Sequence, residues 1–317
     1  MRFRDIANEW FNQHSKYIKE SSSSTYRSIL NRMLPYFEDY VNITEDDAQE
    51  YIHARLSSGC SVKAVQDDMI VIKMILKFGG KRKWCDAPID WKLQYPTRKK
   101  DSKRLEVFSD KDYAKFIKFL MDNFNFQNLG LLIVAQSGIR IGEICGLRWG
   151  DIDVVEKILR VERTVERIYC PSDDETKPRT KITIGSTKTL SSNREIPLTK
   201  DVLHFVKPLI KVCIPNNYIL SNSPNPVEPR TYRNYYFRIL EKLGIPKIKF
   251  HGIRHTFATG LISSKCDVKT VSCILGHSNI STTLNTYVHP DAQQKRDAID
   301  SFFNKRRKSQ SQKQNNF

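Results

Sequence analysis

No apolar run in the chain approaches the ~20 residues a helix needs to cross a bilayer, and Met1 to Asp5 lacks the apolar core of a secretion signal. The reading therefore excludes a membrane partner and places the protein by default in the cytoplasm. Cysteine is sparse: seven in 317 residues, scattered and never spaced Cys-x-x-Cys. An odd, dispersed set suggests neither a disulfide framework nor a zinc site; these are small buried hydrophobes of a reducing compartment. Acidic residues are also short, 35 against 52 Lys plus Arg, for a formal charge of +17. No carboxylate cluster suits Mg²⁺, so no metal cofactor is expected.

What is present is a basic chain with 39% hydrophobic residues, long enough for two domains of the usual ~100–200 residues. An excess of positive charge attracts a polyanion and releases its counterions, so nucleic acid is the expected partner.

Four helical patterns fill the N-terminal part. Phe3, Ile6, Ala7 and Trp10 mark the first; Tyr26, Ile29, Leu30, Met33 and Phe37 mark the second, after a serine run, Ser21 to Ser24, read as ending in an N-cap. Thr44 opens the third and Ser61 the fourth, with Gly59 and then Gly79-Gly80 as stops. The periodicity fails from Lys81, prolines appear at Pro88 and Pro96, and Arg98, Lys99, Lys100, Lys103 and Arg104 crowd one stretch. This gives a helical domain over 1–94 and a basic linker over 95–105, laid along a phosphate backbone.

The second domain, 106–304, opens at a Ser109 cap and holds a continuously apolar helix from Leu129 to Ala135, stopped by Ser137-Gly138. Alternation then replaces helical spacing at Ile158 to Arg163, Ile182 to Ile184 and Ile196 to Leu198, which reads as one small antiparallel sheet with a polar hairpin over 185–197. The fold class is mainly α with this sheet (α+β). Helices resume at Val202 and again from Thr231 to Leu243. There Tyr232, Tyr235 and Tyr236 suit a core, and Arg230, Arg233 and Arg238 suit phosphate contacts. Residues 305–317 form a basic and polar tail, expected to be disordered.

The chemistry concentrates near the end. In His251-Gly252-Ile253-Arg254-His255 the imidazoles and the guanidinium share a helix face. Asp267 caps the next short helix, Gly276 ends it before His277, and Ser281 is read as the cap of one that finishes at Tyr287. Upstream, Arg140 sits between buried segments with Glu143 as its nearest carboxylate, one turn on. Two arginines can clamp the non-bridging oxygens of a phosphodiester, histidines can exchange protons with it, and a tyrosine hydroxyl can attack phosphorus.

The Arg140-Ile-Gly-Glu143 box, Thr187-Lys188-Thr189, His251 to His255, Leu275-Gly276-His277 and the terminal Tyr287 occur in an order that resembles the tyrosine recombinase (phage integrase) family, with likeness to integrases of phages and conjugative transposons. The resemblance spans nearly the whole chain. It implies an N-terminal core-binding, SAM-like bundle and a catalytic domain closing as a C-shaped clamp on double-stranded DNA.

It also implies roles. Tyr287 would form a 3′-phosphotyrosyl link, Arg140 and Arg254 would stabilise the transition state, and Lys188 would protonate the leaving oxygen. His251 would accept the tyrosine proton, His277 would bond the phosphate, and Glu143 and His255 would act as supports. The implied activity is site-specific integration or excision of a mobile element by a homo-tetramer on paired sites, in the nucleoid, without ATP or metal. Accessory DNA-bending factors are among the implied partners, while a chain that starts at the core-binding helices leaves room for a simpler resolvase or invertase. Type IB topoisomerase-like relaxation, and a regulator using Val268 to Tyr287 as helix–turn–helix, stand as alternatives.

Overall fold

Apolar residues at helical spacing build the N-terminal helices α1 (Phe3–His14), α2 (Glu20–Phe37), α3 (Glu45–Ser57) and α4 (Val62–Gly80), the last two opened by side-chain caps, with a 3-10 turn at Ser15–Tyr17. The computed structural model describes residues 1–87, 90–96, 106–170, 180–186, 193–288, 296, 299–300 and 302–303. Lys188, the basic group Arg98, Lys99, Lys100, Lys103 and Arg104, and the 305–317 tail lie outside the described residues.

Thr44 caps α3 reciprocally: its Oγ1 accepts from the Asp47 amide at 3.2 Å while its own amide donates to Asp47 Oδ2 at 2.8 Å. Ser61 caps α4 through the Ala64 amide at 3.2 Å. The serine run does not cap α2. That helix starts earlier, at Glu20, and Thr25 Oγ1 donates back to the Ser21 carbonyl inside it. The buried face of Ile29, Leu30, Met33 and Phe37 carries the helix through residues that prefer its end. Gly79 and Gly80 likewise lie within α4 rather than after it. Asp68 is fully buried and accepts from Arg32 Nη2 at 2.8 Å and the Tyr51 hydroxyl at 3.1 Å, which ties α2 and α3 to α4.

The chain divides into two compact units, Met1–Arg104 with Glu166–Thr183, and Leu105–Val165 with Ile184–Phe317. In chain order the rest comprises α5 (Asp110–Asp122), α6 (Phe126–Ser137), α7 (Ile141–Cys145), a 3-10 turn at Trp149–Asp151, β1 (Ile152–Asp153), β2 (Ile158–Val161), β3 (Arg163–Tyr169), β4 (Thr180–Ser186) and β5 (Arg194–Pro197). The helices α8 (Lys200–Ile210), α9 (Pro229–Lys242), α10 (Phe250–Ser263), α11 (Val268–Leu275) and α12 (Ile280–Tyr287) follow.

Among the described residues two sheets form where one was expected. β2 lies between β1 and β5 with antiparallel pairing that sets Leu159 opposite Ile152 and Ile196, while β3 pairs with β4 apart from them. β4 and β5 are therefore not hairpin partners. The buried Leu159 and Ile196 explain the choice, because β5 secures its inward side chain by pairing with β2.

The centre of this unit is α6, apolar all round, with Leu131 to Ala135 at most 1% exposed. It packs against α5, α8 and α10. Tyr232 and Tyr236 of α9 are buried in the same core, as their spacing predicts. A satellite core of Ala258, Val271, Leu275 and Tyr287, flanked by Phe257, Leu261 and Ile262, joins α10, α11 and α12. The cap of α12 is Asn279, whose Oδ1 accepts from the Ser281 amide at 2.8 Å, so Ser281 is the capped residue and not the cap. Among the described residues no helix is long and apolar enough to cross a membrane.

Candidate active site

Gly138 ends α6 in the left-handed conformation, φ 67°, and a Cβ there would stand 2.6 Å from the Phe257 ring. Only glycine fits this turn against α10. The turn delivers Arg140 to the N-cap of α7, where its amide donates to Glu143 Oε2 at 2.8 Å and its Nη1 to Oε1 at 2.7 Å. Glu143 is also held by Arg194 of β5, from Nη2 at 2.9 Å and Nη1 at 3.2 Å. Burial alone would raise the Glu143 pKa, but the hydrogen bonds and charges of Arg194 and Arg140 hold it at about 2. The carboxylate is thus a fixed anion between two guanidiniums.

The C-terminal end of α11 gathers the arginines. Asp267 caps its start, accepting from the Thr270 amide at 2.9 Å, and Gly276, φ 66°, ends it. Three successive carbonyls left open by that end accept from three side chains: Ile274 from Arg194 Nε at 2.7 Å, Leu275 from Arg254 Nη2 at 2.8 Å, and Gly276 from Arg140 Nη2 at 3.0 Å. Unpaired carbonyls and the negative end of the helix dipole favour cations there. Arg254 donates a second bond from Nη1 to the Gly138 carbonyl at 2.8 Å, and its Nε has no partner among the described residues. It is 1% exposed; burial, then the nearby Arg140, loosens its hold on the proton, though a guanidinium stays cationic at neutral pH. Arg140, with 37% of its side chain exposed, is the more open of the two to an incoming anion.

The histidines and the tyrosine close around this group. His251 and His255 lie one turn apart on α10 with ring centroids 4.5 Å apart, edge to face. His277, just past the end of α11, shares a 2.7 Å hydrogen bond between Nδ1 and the Thr283 hydroxyl. Lost hydration and the surrounding cations lower both His251 and His277 to about 4, so both rings are neutral at pH 7. Tyr287, the last residue of α12, is 8% exposed, and its hydroxyl lies 2.7 Å from His255 Nδ1. Burial raises its pKa while Arg254 and Arg140 oppose that rise, which sets the hydroxyl within the field of both arginines.

Arg140, His251, Arg254, His277 and Tyr287, with Glu143 and His255, therefore occupy one locality of the second unit. Arg230, Arg233 and Arg238 are exposed on α9. The sequence reading missed Arg194, whose side chain is 6% exposed. A signal was present: it alternates with Ile196 on the inward side of β5, and an arginine in step with buried residues requires a carboxylate or carbonyls. His255 was read as a support, yet it is the side chain that touches the Tyr287 hydroxyl.

A family model described as Phage integrase family matches residues 106–294, and one described as Phage integrase, N-terminal SAM-like domain matches residues 2–55. A curated relative, the tyrosine recombinase XerC-like protein of Caldanaerobacter subterraneus, is 32% identical over 211 residues; the match covers 62% of this chain and 53% of that protein, about half its length. The integrase of Staphylococcus phage L54a is 24% identical over 86% of this chain and 80% of its own. Among solved structures, the Tn1549 transposon integrase in complex with a circular intermediate DNA superposes with a TM-score of 0.76 at 21% identity, covering 95% of this chain and 99% of that one. A lambda integrase tetramer bound to a Holliday junction superposes with a TM-score of 0.61 at 16% identity, over 92% and 80% of the two chains.

Proposed function

The chain belongs to the phage integrase family of tyrosine recombinases, and from that membership we propose that it cuts and rejoins double-stranded DNA at specific sites to integrate or excise a mobile element. The observation that carries the reading is the end of α11, where Arg194, Arg254 and Arg140 meet three successive carbonyls beside Tyr287 and its histidine.

In this mechanism Arg140 and Arg254 hold the two non-bridging oxygens of the scissile phosphate, where negative charge grows as phosphorus becomes pentavalent. The Tyr287 oxygen forms the new bond to phosphorus while the bond to the 5′ oxygen breaks, leaving a 3′-phosphotyrosyl link and a 5′-hydroxyl. Lys188 is the proposed proton donor to that leaving oxygen, and neutral His251 and His277 complete the hydrogen bonding around the phosphate. Because one phosphodiester is exchanged for another, a second 5′-hydroxyl reverses the step without ATP. The arginines supply the positive charge that the step needs.

The proposal extends to the architecture: a core-binding domain over 1–94, a basic linker over 95–105, a catalytic domain over 106–304 and a tail over 305–317. Arg98, Lys99, Lys100, Lys103, Arg104, Arg230, Arg233 and Arg238 are the proposed backbone contacts. Assembly as a homo-tetramer on paired sites, with accessory DNA-bending factors and a nucleoid location, completes it. The lambda integrase tetramer among the structural neighbours supports the assembly.

The test is a supercoiled plasmid carrying two copies of the attachment region, incubated with wild type and with Tyr287→Phe. Recombinant circles from wild type alone are expected. Relaxation without recombinants would favour the topoisomerase reading, and tight binding with unchanged topology would favour a regulator.

A further inference from the structure

Among the described residues the Tyr287 hydroxyl has one hydrogen-bond partner, His255 Nδ1 at 2.7 Å. A phenol is the better donor and a neutral imidazole nitrogen the better acceptor, so the O–H donates and the remaining ring hydrogen of His255 sits on Nε2. The hydroxyl is also buried, at 8% residue exposure, with little water at hand to take a proton. His251, one turn earlier, packs its ring edge to face against His255 and makes no hydrogen bond to Tyr287. We propose that His255, and not His251, is the base that takes the Tyr287 proton during strand cleavage; this rests on the reading of Tyr287 as nucleophile.

The step balances. As the Tyr287 oxygen bonds to phosphorus and the 5′ oxygen departs, the phenolic proton passes to His255 Nδ1 and leaves an imidazolium. The departing oxygen draws its own proton from a separate acid. In rejoining, the imidazolium returns its proton to the phenolate as the 5′-hydroxyl displaces it.

The surroundings suit both halves of the exchange. Burial, and then Arg254 on α10 itself, disfavour a charged His255 at rest. From the segment before α5, Glu106, ion-paired with Lys249 at 2.7 Å, favours the imidazolium once formed. Tyr287 of α12 faces the ring directly, and His277 beyond α11 is a further titratable neighbour. Burial makes the phenol hold its proton more tightly, so proton transfer to an adjacent base favours the attack.

The experiment measures single-turnover formation of the covalent protein–DNA adduct on a nicked DNA substrate. Asparagine at 255 can place an amide oxygen near Nδ1, so His255→Asn keeps a hydrogen-bond acceptor and loses a proton acceptor. The expected loss is about 10²–10³-fold, the usual worth of a positioned base. Incorporating 2,3,5-trifluorotyrosine at position 287, an acidified phenol that needs less help, should restore His255→Asn to within about tenfold of wild type. His255→Gln, a second replacement without a titrating group, should respond in the same way.

His255→Asn cleaving within about threefold of wild type would overturn the proposal and leave His255 a positioning contact. Rescue by fluorination confined to His251→Ala would overturn it in favour of His251. No adduct from wild type on a verified site would instead remove Tyr287 as nucleophile, and the proposal with it.

Discussion

Arg140 and Arg254 donate to the carbonyls of adjacent residues, Gly276 at 3.0 Å and Leu275 at 2.8 Å. Two side chains far apart in sequence thus take their spacing from two consecutive peptide units at the end of α11. In the proposed mechanism a phosphate held by both needs that spacing fixed beforehand, because an ordered site avoids reorganisation during the reaction.

Gly276 is the point where this device is most easily disturbed. Its φ is 66°, and a Cβ would stand 2.9 Å from Arg194 Nη1 and 3.0 Å from its Cδ. Gly276→Ala is expected to cost roughly 1–2 kcal/mol for the left-handed backbone and to displace the Arg140 acceptor. Thermal unfolding of the purified variant, read beside its adduct rate, checks both effects. An unchanged transition with full activity would refute the role of this helix end.

Glu143 is 4% exposed and paired with Arg140 and Arg194, so removing its charge strands two guanidiniums. Glu143→Gln is expected to destabilise by roughly 3 kcal/mol, the usual result of breaking a buried pair from one side. Arg194→Lys, which cannot span both carboxylate oxygens and the Ile274 carbonyl, should behave similarly. Because the two share contacts, the double variant should fall short of the summed losses by more than about 1 kcal/mol in a denaturant-melt cycle. Simple additivity would show that the bridge does not act as a unit.

Much of this was legible in the chain itself. The caps Thr44, Ser61, Ser109 and Asp267, the stop at Gly138, and the Arg140–Glu143 pair all follow from local chemistry within one helical turn. What escaped was set by distant partners. Arg194 alternates in step with Ile196, but which groups hold it is decided only once β5 pairs with β2 and turns it inward. The single sheet was expected from alternation, which fixes strand faces but not which strands pair. His255 lies on the same helix face as His251, and only the placement of α12 decides which ring meets the Tyr287 hydroxyl.

The histidines set a pH dependence of stability. His251 and His277 have folded pKa values of about 4, below the ~6.5 of an unfolded chain, so between those values the unfolded state binds more protons. Their contribution is present above about pH 6.5 and lost as pH falls toward 4. Glu143, at about 2, adds a further loss from the ordinary carboxylate range downward. Thermal unfolding across this range should therefore show falling stability in acid. A midpoint flat from pH 7 to 4 would contradict it.

Arg230, Arg233 and Arg238 are exposed on α9, and Arg238 stacks its guanidinium 5.9 Å from the Tyr235 ring. For each of them that meets a phosphate, replacement by alanine should weaken binding across sequences alike. The slope of log affinity against log salt should fall by about 1. Fluorescence anisotropy in a salt series reads this directly, and unchanged slopes for all three variants would remove α9 from the DNA surface.

The central claim is that Tyr287 becomes covalently joined to DNA. Wild-type protein reacted with its site in EDTA, treated with nuclease and trypsin, yields a peptide between Lys269 and Lys295 in which Tyr287 is the one tyrosine. Mass spectrometry should find a 3′-phosphonucleotide on Tyr287 of that peptide, and none anywhere in Tyr287→Phe. A nucleotide on any other residue, or an adduct that survives Tyr287→Phe, would contradict the account.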